Sequence, residues 1–154
     1  MGIPNDFETI AGSIMYVSAA LPATFDADGF EDLTWVEVGQ ITKFGGLVGR
    51  DYNTSTSSTV RRAFDREKKG SYKLSPSEFE CEWNEDDAGQ AIVETLSMSY
   101  DTGSFKVVKQ NGAIRYSAAQ VSKFVENGGS SNDTVIGTLT LLRQIETIRV
   151  PAPN

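Results

Sequence analysis

The residues best suited to chemistry are carboxylates, and six of them fall within the ten residues from Glu78 to Asp87. Two carboxyl groups on one strand face could serve a glycoside hydrolase, and such a cluster could also bind Ca²⁺. Glu78, Glu80 and Glu82, however, alternate with apolar residues and therefore share one open face of a strand. Equivalent environments give no reason for their pKa values to separate, as acid–base catalysis requires. We interpret the row as a solvent-facing surface and predict neither a catalytic site nor a metal site there.

Other catalytic and cofactor chemistries also find little support. The 154 residues include no histidine, which excludes a Ser-His-Asp nucleophile and removes the commonest metal ligand. The single cysteine, Cys81, cannot form an internal disulfide, and its place on an apolar strand face predicts a core residue. The glycine-rich stretch Gly45–Arg50 lacks the Gly-Lys-Ser/Thr of a phosphate loop. We predict that the protein is not an enzyme and uses no cofactor.

The glutamate row belongs to a strand that leads directly into the clearest helix of the chain. Phe79, Cys81 and Trp83 form the apolar face of the strand. We predict that Asn84 caps the helix, because the acidic residues that follow suit the positive end of the helix dipole. Apolar residues then recur at helical spacing up to a stop at 101–103, and the helix should pack on a sheet through Ile92, Val93 and Leu96. Trp35 is also predicted to be a core residue.

The rest of the sequence predicts short antiparallel strands joined by hairpins. Asn111-Gly112 is a strong hairpin signal. The segment 134–150 reads as two strands or one bent strand. We expect six to eight strands and one helix in a single domain, 1–154, with an irregular arm at 1–11 and a tail at 151–154. The other predicted strands are Ser13–Ala20, Leu33–Phe44, Ser104–Lys109 and Ile114–Val125, and the predicted loops are Thr24–Glu31 and Glu126–Asp133.

The segment Gly45–Gly70 lacks a clear period and predicts a long loop, which inside a compact domain is usually functional or disordered. It carries six cations and three anions, a net charge of +3, whereas the whole chain carries −7. The remainder of the chain is therefore at −10. A basic arm on an acidic body is a pattern for contact with another copy of that body. The six cations are Arg50, Arg61, Arg62, Arg66, Lys68 and Lys69.

No segment predicts a membrane span or a secretion signal. The apolar stretch Ile14–Ala23 is too short to cross a bilayer and is interrupted by Ser18 and Pro22. The first eight residues are polar and acidic, unlike a signal peptide. The net charge also disfavours a protein that grips nucleic acid through its phosphates.

Four motifs, in their order and spacing, resemble the major tail tube proteins of long, non-contractile-tailed bacteriophages. They are Trp35–Gly39, Lys69–Gly70, Phe79–Trp83 and Asp87–Gln90, and the resemblance extends over roughly residues 12–150. It implies an antiparallel β-sandwich with one flanking helix. Six copies would form a ring with a shared inner β-barrel, and the rings would stack into a tube. The long loop 45–70 would reach the neighbouring ring.

The resemblance also implies partners and a location. The tube would belong to the virion tail, after synthesis in the host cytoplasm, and would meet a tape measure protein, a tail terminator and tail tip proteins. Double-stranded DNA would pass through without specific binding, since an acidic lumen leaves DNA free to slide. Glu78, Glu80 and Glu82 are the candidates for that lining, and Glu37 is a weaker one.

Three alternatives remain open from the sequence. The first is a soluble β-sandwich module that binds a carbohydrate or a protein. The second is a related ring protein, either a tail terminator or a secretion-tube subunit. The third and weakest is an acid–base hydrolase that uses Glu78 and Glu82.

Overall fold

The computed structural model describes residues 11–153, so nearly all of the predicted arm 1–11, and Asn154 of the predicted tail, lie outside the described residues. Within that range the chain forms ten strands and two helices. In chain order these are β1 (Ile14–Ser18), α1 (Ala27–Glu31), β2 (Val36–Val38), β3 (Ile41–Lys43), β4 (Arg50–Ser57), β5 (Arg66–Leu74), β6 (Ser77–Glu82), α2 (Ala88–Ser97), β7 (Gly103–Val108), β8 (Ile114–Asn127), β9 (Ile136–Arg143) and β10 (Ile148–Val150).

Eight of these strands form one antiparallel sheet in the order β2-β1-β7-β8-β9-β6-β3, with β10 also paired to β8. The fourteen-residue strand β8 is central, because β7 pairs along its first half and β9 along its second half. Strands β4 and β5 pair only with each other as a separate two-stranded sheet. The prediction of a mainly β, antiparallel fold is confirmed, but the described residues form ten strands and two helices where six to eight strands and one helix were predicted.

The main core lies between one face of the sheet and α2. Phe79, Phe105, Leu139 and Leu141 are buried there against Val93 of the helix. Burial of large apolar side chains such as these is the main stabilising term of the fold. The predicted core positions Phe79 and Cys81 and the hairpin turn at Asn111-Gly112 are confirmed. Of the two alternatives for 134–150, the structure has two strands and not one bent strand.

The start of α2 differs from the prediction. Asp87, not Asn84, caps the helix, and its Oδ2 accepts hydrogen bonds from the backbone N–H of Gln90 and from that of Gly39. The second bond ties the helix to the turn between β2 and β3. Gly89 fits beneath this turn because a Cβ would lie 2.2 Å from the backbone oxygen of Glu37. The buried helix face is therefore Gly89, Val93 and Leu96, with Ile92 only partly buried at its side.

The other face of the sheet is divided into two halves. Over β1, β7, β10 and the first half of β8, which we call the covered half, the segment 19–35 packs as a second small core. Phe30 of α1 is fully buried and stacks on Tyr116, with ring centroids 5.3 Å apart. The Ser104 hydroxyl donates to the Ala20 carbonyl at 2.7 Å. The prediction of a loop over Thr24–Glu31 was wrong, because Asp26 caps a short helix by accepting from the Gly29 N–H.

Three other sequence predictions are corrected by tertiary contacts. The single strand predicted over 33–44 is two strands, separated at Gln40 by a positive φ of 60°. Trp35 and Trp83 are only partly buried; Trp83 stacks on Phe124 at 4.9 Å at the end of the core. Strand β8 extends two residues into the loop predicted from Glu126.

The largest correction concerns the segment 45–70. Half of it is not irregular loop but strand, since β4 and β5 form a hairpin that continues to Leu74. We call residues 50–74 the basic hairpin, with its tip at 58–65. It contains seven cations and three anions.

Candidate assembly surfaces

The basic hairpin projects from the body of the protein. Every residue from Asn53 to Lys73 is exposed except Arg62, which is partly buried. Eight residues of β4 at the rise of an extended strand give the hairpin a reach of about 25 Å. The pairing shifts between Tyr52 and Thr54, where β5 carries an extra residue next to Gly70. Such a bulge increases the local twist of a two-stranded ribbon.

The hairpin has two chemically different faces. On one, Tyr52 and Tyr72 pair across the strands with ring centroids 5.3 Å apart. Arg50 lies over the Tyr72 ring at 4.4 Å, and the Lys69 ammonium lies 4.6 Å from the Tyr52 centroid. These cation–π contacts organise the base of the hairpin. The opposite face, by strand alternation and register, presents serines together with Arg66, Lys68 and Lys73.

The tip carries exposed apolar groups beside its cations. Val60 is fully exposed and Phe64 is 67% exposed. Thr59 and Arg62 close a turn, with the Arg62 N–H donating to the Thr59 carbonyl at 3.1 Å and the Arg62 Nε donating to the Thr59 hydroxyl. An aromatic ring held in solvent at the end of a projecting arm points to contact with another surface.

The hairpin is fixed at its root by Arg143 at the end of β9. This side chain is buried and donates to the carbonyls of Leu47 at 2.7 Å, Gly49 at 2.9 Å and Ser75 at 3.2 Å. One guanidinium therefore holds the chain as it enters and as it leaves the hairpin. Desolvation by burial lowers the pKa of Arg143 from its usual value, while the nearby Glu146 carboxylate opposes that shift.

Glu146 makes a second connection at the root. It forms an ion pair with Arg50, and the Tyr72 hydroxyl donates to it at 3.5 Å. The sequence predicts Arg50 as a loop cation, but no pattern in it predicts a role for Arg143 or Glu146. The carbonyls that Arg143 binds lie 68 to 96 residues away in the chain, and Tyr72 and Arg50, the partners of Glu146, lie 74 and 96 residues away, so no local pattern could reveal them.

The six predicted loop cations do not form one patch. Arg50 and Lys69 lie on the tyrosine face, Arg66 and Lys68 on the serine face, and Arg61 and Arg62 at the tip. The hairpin thus presents positive charge along its whole length. Where it would meet another copy, each face and the tip could make a separate contact.

The predicted acidic row lies on the uncovered part of the sheet, over β3, β6, β9 and the second half of β8, which we call the open half. Glu78 and Glu82 are exposed and Glu80 is partly buried, opposite the core residues Phe79 and Cys81. Across the strands, Glu78 pairs with Thr140, Glu80 with both Thr138 and Lys43, and Glu82 with Ile136. The face is mainly polar, with Ile136 and Val125 among its apolar members, and no chain segment packs over it in the described residues.

Glu37 lies far from Glu78, Glu80 and Glu82 in the sheet. It lies on β2 opposite Tyr16, five strands from β6 along the sheet and next to the covered half. Strand alternation places it on the same side of the sheet as the glutamates. The structure therefore separates the weaker candidate from the three stronger ones.

The described residues contain no cluster of three or more His, Cys, Asp or Glu side chains that could hold a metal ion. In residues 11–153, likewise, neither helix has the length and apolar character needed to span a membrane. The one thiol, Cys81, is buried, and burial raises its pKa to about 11. A thiol in that state is a poor nucleophile.

Comparison with known proteins defines the fold. No protein-family model and no curated protein matches the sequence. Among solved structures, a chain in the cryo-EM structure of an extracellular contractile injection system, the PVC sheath/tube terminator in extended state, matches with a TM-score of 0.64 and 10% identity. The match covers 97% of this chain and 100% of that one.

A chain in the cryo-EM structure of the anti-feeding prophage (AFP) baseplate gives a TM-score of 0.60 with 11% identity, over 97% of both chains. The crystal structure of Hcp1 from Salmonella typhimurium matches over 89% of this chain with a TM-score of 0.40, too low to define a fold. At such identities the similarity establishes the fold alone. The chain has a tail-tube-type fold that occurs in an extracellular contractile injection system and in an anti-feeding prophage baseplate.

Proposed function

We propose that this protein is a structural subunit of a phage-type tail tube, which assembles as stacked hexameric rings and has no catalytic role. The observation that carries the proposal is the basic hairpin, about 25 Å of exposed strand on an acidic body. A ribbon with no apolar face contributes little to the stability of its own chain. Its exposed faces and tip are suited to contact with another copy, and the fold similarity to injection-system components supports this assignment.

The charge distribution supports a directional contact between rings. Outside the segment 45–70 the chain carries a net charge of −10, so a hairpin from one copy is attracted to the body of the next. Head-to-tail contacts of this kind close into rings or extend into filaments. A tape measure protein, a tail terminator and tail tip proteins would complete such a tail in a siphophage virion.

The proposal is tested by shortening the hairpin. Residues 55–68 are replaced by Asn-Gly, which joins the paired residues Thr54 and Lys69 through a two-residue turn. We expect a folded monomer that forms no tubes in negative-stain microscopy and sediments as one species at concentrations where the parent protein polymerises. A matched control shortens the exposed loop 128–133 and should assemble normally. Normal tubes from the shortened hairpin would contradict the proposal.

For the open half we propose a lumen lining that conducts double-stranded DNA into the host. Glu78, Glu80 and Glu82 form a row of carboxylates on an uncovered sheet face, which would repel phosphates and leave DNA free to slide. The triple change to Lys should leave tubes intact but make them retain a short duplex in a salt-dependent way. A control triple change of Asp28, Glu31 and Glu126 to Lys alters the net charge equally. If tubes of both variants retain the duplex equally, the assignment of Glu78, Glu80 and Glu82 to the lumen is wrong.

A tube terminator is the second candidate. It is favoured by the fold match to a structure described as a sheath/tube terminator, at a TM-score of 0.64. A terminator would form a single ring that caps a tube, whereas a tube subunit polymerises without a fixed end. Microscopy of concentrated pure protein separates the two, since isolated rings indicate a terminator and long hollow filaments indicate a tube subunit.

A further inference from the structure

An apolar groove runs along α2, between the helix and the segment that follows β1. Its volume is about 590 Å³, and its lining includes Leu21, Ala91, Ile92, Thr95 and Leu96, with Asp101 at the rim. Leu21 is 46% exposed and Ile92 only partly buried, so the isolated chain leaves apolar surface open to water here. Near the end of the same helix, Met98 and Tyr100 are also exposed. Adjacent exposed apolar groups of this kind indicate a docking surface.

The charge around the groove is entirely negative. From Asn84 to Thr102 the chain contains five carboxylates and no Lys or Arg. The helix therefore presents an apolar channel between acidic residues at both of its ends. The partner that complements it has an apolar side chain flanked by cations.

The tip of the basic hairpin has this composition. Phe64 and Val60 are exposed there, and Arg61, Arg62 and Arg66 flank them with Asp65 as the one anion. Because both apolar side chains are exposed in the single chain, the tip does not occupy the groove of its own molecule. We propose that Phe64 of one copy inserts into the α2 groove of a second copy, with Arg61 and Arg62 facing the carboxylates around it. This assignment rests on the proposed function and names the surface that receives the hairpin.

The segment 1–10 is the competing occupant within the same chain, because it contains Ile3, Phe7 and Ile10. It joins β1 at the Ile14 end, whereas the groove begins beyond the Ser18 end. The two points are separated by the length of the strand, about 15 Å. The hairpin tip, in contrast, carries the cations that the acidic surroundings of the groove favour.

The test is a disulfide between two different copies. One preparation carries Ala63→Cys, beside Phe64, and the other carries Thr95→Cys in the groove; they are mixed under assembly conditions with a mild oxidant. Cys81 stays in place because it is buried. We expect a dimer on a non-reducing gel in most of the assembled protein, at least ten times more than when Ala63→Cys is mixed with Ser131→Cys, a control on an exposed loop.

Assembly measurements separate failure of this inference from failure of the proposed function. Phe64→Ala should raise the critical concentration for tube formation at least tenfold, whereas Phe64→Leu should restore most of the assembly. If tubes form but the Ala63→Cys and Thr95→Cys preparations do not cross-link, the groove assignment is wrong and the tube proposal stands. If an Ile10→Cys, Thr95→Cys double variant cross-links within one chain instead, the arm is the occupant and the assignment is again wrong. If the unaltered protein forms neither rings nor tubes, both proposals fail.

Discussion

The covered half and the open half lie on the same face of the sheet, the face opposite the main core, and they differ in what lies over them. In the covered half, Phe30 stacks on Tyr116 and the segment 19–35 excludes water. In the open half, after the bulge near Ser122, the same strand β8 presents Lys123 and Val125 to solvent beside the glutamate row. The alternation of side chains is the same in both. What differs is whether another segment of the chain packs on top, so the open half remains free for contacts outside the subunit.

The largest effect should come from removing the group that covers the sheet. Phe30→Ala deletes a fully buried aromatic ring and should lower the free energy of unfolding by about 3–5 kcal/mol. Urea denaturation followed by circular dichroism measures this. Phe25→Ala is the matched control, because Phe25 contacts Phe30 edge-on but is 54% exposed, and it should have a much smaller effect. Equal losses would show that the covered half is not held by burial of Phe30.

The next effect concerns the root of the basic hairpin, where β9 ends at Arg143 on the opposite face of the sheet. Arg143→Met keeps the length of the side chain but removes the guanidinium donor of three backbone carbonyls, although that of Leu47 keeps the Thr147 hydroxyl as a second donor. It should lower the unfolding free energy by about 2–3 kcal/mol. Trypsin should also cleave the hairpin faster in this variant, because its root is no longer fixed. Arg149→Met, at an exposed position near the same root, is the control. Unchanged cleavage would contradict the role of Arg143 as the clamp.

A third effect probes the core beneath the open half through pH. Burial raises the pKa of Cys81 from 9.0 to about 11, so in alkali the thiol ionises first in the unfolded chain. The contribution of Cys81 to stability is therefore present below pH 9 and is lost as pH rises towards 11. Between those values the stability advantage of the parent protein over Cys81→Ala should shrink by about 2 kcal/mol. A constant difference would show that the thiol is not desolvated.

The smallest effect is expected on the open half itself. Replacing Glu78, Glu80 and Glu82 with Gln should change the unfolding free energy by no more than about 0.5 kcal/mol per site, since these groups face solvent. Removal of like charges along one strand face should make the change slightly stabilising. Thermal unfolding at low ionic strength gives the best sensitivity. If the unfolding free energy falls as much as in Phe30→Ala, the glutamate row stabilises the fold itself and is not a surface left free for contacts with other subunits.

The parts of the fold that follow from local patterns could be predicted. The alternation at Phe79 and Cys81 determines which face of β6 is buried, and the helix after it follows from its apolar spacing. The Asn111-Gly112 turn is predicted by residue type alone, because Gly112 adopts a positive φ of 92°. These features depend on residues within a few positions of each other.

The basic hairpin was missed for a physical reason. Hydrophobic alternation marks a strand with one buried face, and both faces of β4 and β5 are exposed. The remaining strand signals were the threonines at 54 and 56 and the tyrosines at 52 and 72, which are weak among so many serines and charges. The net charge of the segment could be predicted from its composition, but the pairing of β4 with β5 could not.

Non-local hydrogen bonds account for the other differences. Asn84 and Asp87 are both good capping residues, and the contact of Asp87 with Gly39, 48 residues away, decides between them. The sequence resemblance pointed to non-contractile tails, whereas the solved neighbours come from contractile injection systems. The solved neighbours establish the fold of the subunit, and the kind of particle remains a proposal.

The clamp at Arg143 has a consequence for any assembly that the hairpin joins. An arm about 25 Å long magnifies rotation at its base, so a tilt of about 5° moves the tip by about 2 Å. The angle of the arm is set by the carbonyls of Leu47, Gly49 and Ser75, all of which lie within the subunit. The direction in which the arm meets a neighbour would then depend on Arg143, although its hydrogen bonds are all made within its own chain.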